Sequence, residues 1–461
     1  MAKYQKYAEY KDSGVEWLED VPREWDIIKI KHLSTVKRGA SPRPIDDPKY
    51  FDDNGEYAWV RIADVSASDM YLLNTTQTMS DLGSSLSVKL EPNQLFLSIA
   101  GTVGKPCINK IKACIHDGFV YFPELKIPNK YLFYVFAGEQ AYKGLGKMGT
   151  QLNLNTDTVG DIKVALPKSQ SDIYKIIEFL DHETAKIDSL IAKQEKLIEL
   201  LKEKRQAVIS HAVTKGLDPN VQMKDSGVEW LGEVPEHWTK SKLVSVADGT
   251  KGCFVNGPFG SDLLANELRD EGVPVVYIRD IKPTGYKRKS TVHVTEQKAR
   301  QLEICNVKVD DVIISKVGDP PGDACLYPKG EPDAIVTQDV IRIRVDRSRF
   351  NPKFIVYLLN SDFGRLVMDN ISVEGTRKRV SLGDFKDTRF VFPPLKEQEL
   401  IVENLNSACK SIDLIIARAI HGIGLIQERR TALISAAVTG KIDVRNWQAP
   451  TVAEADTELS A

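Results

Sequence analysis

Residues 171–212 read SDIYKIIEFLDHETAKIDSLIAKQEKLIELLKEKRQAVISHA, a stretch with neither Gly nor Pro, so nothing inside it breaks a helix. Stepping by four and three from Ile173 gives Ile173, Ile177, Leu180, Thr184, Ile187, Ile191, Gln194, Ile198, Leu201, Arg205 and Val208. Eight of these eleven are apolar, the seam of a coiled coil about five heptads long. At about 1.5 Å per residue the stretch makes a rod of roughly 60 Å, well beyond an ordinary globular helix.

Such a rod needs a partner, and the chain supplies one. Adding 225 to each number gives Gln398, Val402, Leu405, Cys409, Ile412, Ile416, Ala419, Ile423, Ile426, Arg430 and Leu433, nine of them apolar. The two stretches also end alike, in RQAVISHAVTKGLD (205–218) and RTALISAAVTGKID (430–443). Two unrelated amphipathic helices would not share that ending at the same offset. Gly422 and Gly424 weaken the second copy, by about 1 kcal/mol each relative to Ala.

A second repeat fixes the order of the parts. DSGVEWLEDVPREW (12–25) returns as DSGVEWLGEVPEHW (225–238), identical at ten of fourteen positions, which establishes duplication. Trp17, Leu18, Val21, Pro22 and Trp25 read as a short clamp that buries its indoles. One clamp follows the first long helix and the other precedes everything, the grammar of a ring with a cut. The last helix is therefore expected to end beside the first clamp.

Between clamp and helix lie two globular parts, 26–168 and 239–394. Short β-type runs dominate them: YAWVRIADV, QLFLSIAG, PVVYIRDI, DDVIISKVG and AIVTQDVIRIRV. Helical patterns near 129–143 and 352–369 make each part α+β. Weak matches recur in the same order. Ile62–Val65 matches Ile278–Ile281, Leu95–Gly104 matches Val312–Gly322, and Gly149–Pro167 matches Gly375–Pro393. The expectation is one fold twice, with divergent loops. The expected boundaries are a clamp over 1–25, a globular part over 26–168, a helix over 169–216, a second clamp over 217–238, a globular part over 239–394, a helix over 395–440, and an acidic, flexible tail over 441–461.

Composition bounds the rest. With 461 residues, 42% hydrophobic and 27% charged, the chain has the make-up of a globular protein of two or three domains. The formal net charge of −2 leaves nucleic-acid binding to local basic patches. Six cysteines form no C-x-x-C pair and the seven histidines are scattered, so no metal site is expected. Reduced cysteines suit the cytoplasm. The N-terminus lacks the apolar core of a signal peptide, and no apolar run approaches the ~20 residues that span a membrane.

Near-identical connectors joining divergent modules suit a scaffold whose two heads bind different things in the same way. Lys147, Thr150, Gln151, Asn153 and Asn155 lie in or beside one Gly-Thr loop, and Thr376, Arg377, Lys378 and Arg379 in the other. Gln and Asn can pair bidentately with adenine and Arg with guanine, while Lys and Thr reach phosphates. Arg61, Thr102 and Lys105 in the first part, and Arg279, Lys282, Lys287, Arg288 and Lys316 in the second, complete the candidate DNA-binding set. Against this, a run such as 287–289 is ordinarily no more than a solvated face.

The chain resembles the specificity subunits of Type I restriction–modification systems over essentially its whole length. The resemblance rests on the DSGVEWL-x-x-VP-x-x-W repeat, on FPPLKEQELIVENL (392–405), and on the shared A-x-I-S-x-A-V-T helix ends. It implies two similar target-recognition domains joined by two long antiparallel coiled-coil helices in a pseudo-twofold internal repeat. Each domain would read half of a split double-stranded DNA site, with the helices setting the distance between the halves. The partners implied are two methyltransferase (modification) subunits and the restriction, or translocase, subunits. No catalytic residue, metal or cofactor is then expected on this chain, with S-adenosylmethionine, ATP and Mg belonging to the partner subunits. An enzyme reading finds little support: DPPG (319–322) lacks the aromatic of an adenine methyltransferase loop, and no Walker loop or H-E-x-x-H occurs. The alternative is a two-headed protein-interaction scaffold without DNA sequence readout.

Overall fold

The computed structural model describes residues 4–142, 145, 154–373, 375 and 377–449. Lys147, Thr150, Gln151, Asn153 and Thr376, and the tail from 450 onward, lie outside the described residues. The chain forms two compact units, Met1–Gln194 with Ile420–Ala461, and Glu195–Ala419. Each unit therefore combines one globular part with half of each long helix.

The two helices run over Gln170–Lys215 and Leu395–Val438, within two residues of the expected ends. None of the 22 seam positions is exposed: all are buried or half-buried. Two of the polar ones, Thr184 and Gln398, bond to nearby groups. Thr184 bonds back to the Leu180 carbonyl at 2.6 Å. Gln398 donates to the carbonyls of Pro393 and Arg349 and accepts from the Asn351 N–H, so this fully buried amide is satisfied. The second helix continues unbroken through Gly422 and Gly424. Tertiary packing of the seam outweighs their poor propensity.

In the first unit, five strands are ordered Lys37–Arg38, Phe119–Tyr121, Leu95–Ser98, Pro106–Asn109 and Tyr71–Leu72. Beside them a four-stranded sheet has the order Thr78–Met79, Tyr57–Val60, Ala113–Ile115 and Val88–Leu90. The central strands are buried along their whole length. This explains why they read as continuous apolar runs rather than alternating ones. Helix Asn129–Ala137, apolar nearly all round, packs into the same core.

The second unit repeats this order, without the fifth strand of the first sheet. Phe254–Asn256, Val340–Ile343, Val312–Ser315 and Ala324–Leu326 form one sheet; His293–Val294, Val273–Val276, Ala334–Val336 and Asn306–Val307 form the other. The parallel pairing of Tyr57–Val60 with Ala113–Ile115 returns as Val273–Val276 with Ala334–Val336. At the base, Asp26–Lys29 pairs with Lys163–Leu166, and Thr239–Lys242 with Arg389–Phe392. Even the rim ion pair recurs, Lys29–Asp161 at 2.9 Å and Lys242–Asp387 at 2.7 Å. One fold occurs twice, as expected.

Two expectations need correction. YAWVRIADV and PVVYIRDI are not strands throughout. The strands stop at Val60 and Val276, and helical turns Ile62–Ala67 and Ile278–Asp280 follow. Asp64 and Asp280 cause the change, each accepting the N–H of the residue before the turn, Arg61 or Tyr277, at 2.9 Å, a capping contact. The clamps also bury only part of their indoles. Trp25 and Trp238 are buried, but Trp17 is half-buried and Trp230 is 51% exposed with a φ of +65°.

The clamp hairpins pack on helix ends inside their own units. Gly440 abuts Pro22 and Trp25, and Tyr10 Oη donates to the Gly440 carbonyl at 3.0 Å. Gly216 abuts Pro235 and Trp238 in the same way. The last helix thus ends beside the first clamp.

Candidate nucleic-acid interface

In the second unit the sheet brings separated candidates together. Strand Val312–Ser315 runs into Lys316, and the chain then leaves as Val317–Gly318 to pair with Lys378–Val380. Arg379 therefore lies opposite Val317, next to Lys316. Burial, with help from the nearby Arg379 charge, holds the Lys316 amine below its usual pKa. Asp339 offsets this crowding: its carboxylate meets Arg379 at 3.1 Å and its carbonyl accepts the Lys316 N–H at 2.7 Å. Lys378 meets Asp369 at 2.6 Å, while Arg377 is exposed. These carboxylates hold the cations in place on the surface, where a phosphate can compete for them. The DPPG segment is a turn here, with the Gly322 N–H returning to the Ser315 carbonyl.

A second group is organised by a buried carboxylate. Asp280 accepts from the N–H groups of Tyr277, Lys289 and Ser290 and from the Ser290 hydroxyl. Its carbonyl takes the Lys287 N–H. The backbone of the basic loop is thus pinned from inside, leaving Lys282, Lys287 and Lys289 exposed. Arg279 lies 4.9 Å from the Tyr277 ring and donates to Ser290. Arg288 does not share the exposure of its neighbours. It meets Glu331 at 2.5 Å beside Tyr286, whose hydroxyl burial pushes up to about 12.

In the first unit, Arg61, Thr102 and Lys105 gather on helix Ile62–Ala67. Arg61 precedes it, with its guanidinium on Thr76 and 3.6 Å from Asp64. Ser66 holds the other two, its hydroxyl 2.7 Å from Thr102 and its carbonyl 2.8 Å from the Lys105 amine. Asn155 does not fit the bidentate role expected of it. Its Oδ1 accepts the N–H groups of Asp157 and Thr158, capping helix Thr156–Asp161. Caps prefer Asn for this reason, and only the amide nitrogen is left to meet a base.

Sequence reasoning missed the neighbours of Arg61. A cleft of about 700 Å3 is bordered by Trp59, Arg61, Gln77, His116 and Asp117. Arg38 donates to the Asp117 carbonyl at 2.6 Å and Arg43 reaches its carboxylate at 3.4 Å. The signal was present in KRGASPRP (37–44), a basic Gly- and Pro-rich turn segment. His116 accepts the Gly118 N–H at Nδ1, and burial lowers its pKa. Among the described residues no cluster of His, Cys, Asp or Glu is arranged to hold a metal ion. Nor is any helix there long and apolar enough to cross a membrane.

The duplicated fold has a counterpart in a duplicated sequence profile. The sequence profile of the Type I restriction modification DNA specificity domain matches this chain twice, over residues 22–199 and 236–420. The chain belongs to that family. Its relatives include the EcoBI specificity subunit of Escherichia coli, 27% identical over 222 residues, which span 48% of this chain and only 43% of that protein. The StySPI specificity subunit of Salmonella potsdam is 21% identical over 448 residues, 93% of this chain and 91% of that one. The fold matches a chain solved in work on the complex assembly and conformational transition of the type I R-M system. Its TM-score is 0.59 at 14% identity, covering 91% of this chain and 98% of that chain. This chain therefore carries two specificity domains, and Arg38 and Arg43 join the candidates in the first of them.

Proposed function

We propose that this Type I specificity subunit reads a bipartite DNA site, one half with each unit. We further propose that it scaffolds two methyltransferase subunits and the restriction subunits through its long helices. The observation that carries the reading is the repeated strand order, four strands of each sheet recurring beneath loops of different chemistry: Lys316, Arg377 and Arg379 in one unit, Arg61, Thr102 and Lys105 in the other. A shared frame carries the loops of both units, while the residues on them differ. Apolar side chains left exposed on the helices support docking of protein partners. These are Leu190, Ile420 and Leu425 in the first unit, and Leu197, Leu200, Leu414 and Ile415 in the second. In this reading the chain is non-catalytic, and S-adenosylmethionine, ATP and Mg are bound by the partners.

The test is a map of methylated adenines in cells carrying the system, with wild-type chain and with Arg377→Ala. A lost bidentate contact costs about 1–3 kcal/mol, so base choice should relax in one half-site and stay strict in the other. Relaxation of both halves, or of neither with undiminished DNA binding, would sink the modular reading.

A further inference from the structure

Each unit throws a loop from the same end of its sheet, through a glycine with no room for a side chain. After Phe254–Asn256, a Cβ on Gly257 would lie 2.1 Å from the Val336 carbonyl oxygen. After Lys37–Arg38, a Cβ on Gly39 would lie 2.2 Å from the His116 carbonyl oxygen. Both glycines bond to the neighbouring strand, the Gly257 N–H to Val340 at 3.2 Å and the Gly39 N–H to Phe119 at 2.9 Å. Val340 and Phe119 begin equivalent strands in the two sheet orders. The base of the loop is thus fixed alike twice, while its tip is not.

The tips carry exposed groups. Phe259, in Gly-Pro-Phe-Gly, is 64% exposed. The equivalent loop, Gly-Ala-Ser-Pro-Arg-Pro, ends near Arg43, whose side chain is 82% exposed. The setting tells what they face. The turn that receives Gly257 carries Asp339, which holds Arg379 and the Lys316 backbone. Phe259 therefore springs from the sheet end that presents Lys316, Arg377 and Arg379. An aromatic tip at a sheet end that also carries cations is a combination that grips a nucleic acid, with the ring on a base or sugar and the cations on phosphates.

We infer that this glycine-anchored loop is a DNA-contacting element in both units, with Phe259 meeting the duplex in one half-site and Arg43 in the other. The inference rests on the DNA-reading function proposed above. In the second unit the contact is by shape and stacking at a base step, because a phenyl ring has no hydrogen bond to offer. In the first it is a charged contact that trades Asp117 for the DNA.

The test uses the full chain co-expressed with its methyltransferase subunits, a duplex carrying the site found by methylation mapping, and a scrambled duplex. Phe259→Ala should weaken binding to the specific duplex about 10-fold, the scale of one lost stacking contact, with complex assembly intact. Phe259→Trp should restore affinity, and its added indole fluorescence should be quenched by the duplex beyond the wild-type change. Arg43→Ala should act on the other half-site and flatten the salt dependence of binding. Wild-type discrimination with both alanine variants unchanged in affinity and methylation map would overturn the loop and leave the DNA reading standing. Loss of methyltransferase co-purification from Phe259→Ala, at unchanged DNA affinity, would make the loop a protein contact and also overturn it. A wild-type complex that binds both duplexes equally would overturn both readings.

Discussion

Arg430 grips Asp188 with two hydrogen bonds, Nε to Oδ1 at 2.8 Å and Nη2 to Oδ2 at 3.1 Å. The same pair occurs in the other unit with its partners exchanged between the helices, Arg205 to Asp413 at 3.2 Å. Both arginines occupy seam positions that break the apolar pattern. Each unit thus pins its antiparallel helix halves with a cross-pair, which fixes register where a purely apolar seam could slide. Arg430 is partly covered and Asp188 about half exposed, so the pair should contribute at the upper end of the range for surface bridges, about 1 kcal/mol. A double-mutant cycle of Arg430→Ala and Asp188→Ala, read by thermal unfolding, should give that coupling. Zero coupling would show that the pair adds nothing to stability.

Much of this was legible in the sequence because periodicity is set by helix geometry. All 22 positions named from a four-three step are covered. The duplication was legible because Trp25 and Trp238 are each packed on a helix-ending glycine, which constrains the clamp tightly. The loops were less legible. Asn155 looks like a reader of adenine, yet caps a helix; Arg288 looks like its lysine neighbours, yet faces Glu331. A side chain's direction depends on which carboxylate or N–H lies within reach, and no spacing rule encodes that. Phe259 escaped notice because a single aromatic in a loop has no period.

His116 should give the Arg61 cleft a pH dependence. Burial holds its pKa below the ordinary 6.5, outweighing the opposite pull of Asp117. The unfolded imidazole titrates near 6.5. As pH falls below that value the unfolded chain takes up a proton the folded chain refuses, so stability that is full above about 6.5 declines toward the lower folded value. His116→Phe should flatten that decline in melts from pH 7 to pH 5. A wild-type imidazole that NMR shows titrating above 6.5 would contradict the assignment.

The meeting of clamp and last helix makes the chain a candidate for circular permutation. The Asp443 N–H donates to the Gln5 carbonyl at 2.8 Å, so these segments already touch. In the second unit four residues, 219–222, separate Asp218 from the clamp strand beginning at Met223. Joining Asp443 directly to Lys6 leaves four, 6–9, before the equivalent strand at Tyr10. With new termini opened near Asn220, the permuted chain should fold and support methylation at the unchanged site. A folded permutant that no longer assembles with its methyltransferase would count against the closure.

Glycines in the second long helix should respond in opposite directions to the same substitution. At Gly422 and Gly424 an added Cβ meets nothing within 4 Å, and the backbone is helical. Alanine there should stabilise by about 0.5–1 kcal/mol each, through the entropy of the unfolded chain. Gly440 ends the same helix with a φ of +69°, and its Cβ would lie 2.4 Å from Pro22 Cδ and 3.2 Å from Trp25. Left-handed strain of about 1–2 kcal/mol then adds to a clash with a rigid ring, which costs a further ~1–3 kcal/mol. Gly216, its counterpart, shares the left-handed φ at +77°, but its nearest neighbour is the Glu397 carboxylate at 3.2 Å, a looser contact although His237 and Trp238 hold that carboxylate. Gly216→Ala should therefore cost the strain and a small shift of that carboxylate, less than the clash at Gly440. Unfolding midpoints should rank Gly422→Ala and Gly424→Ala above wild type, Gly216→Ala below it, and Gly440→Ala lowest. Equal losses at 216 and 440 would show that the Pro22 contact is not what holds the first clamp to the last helix.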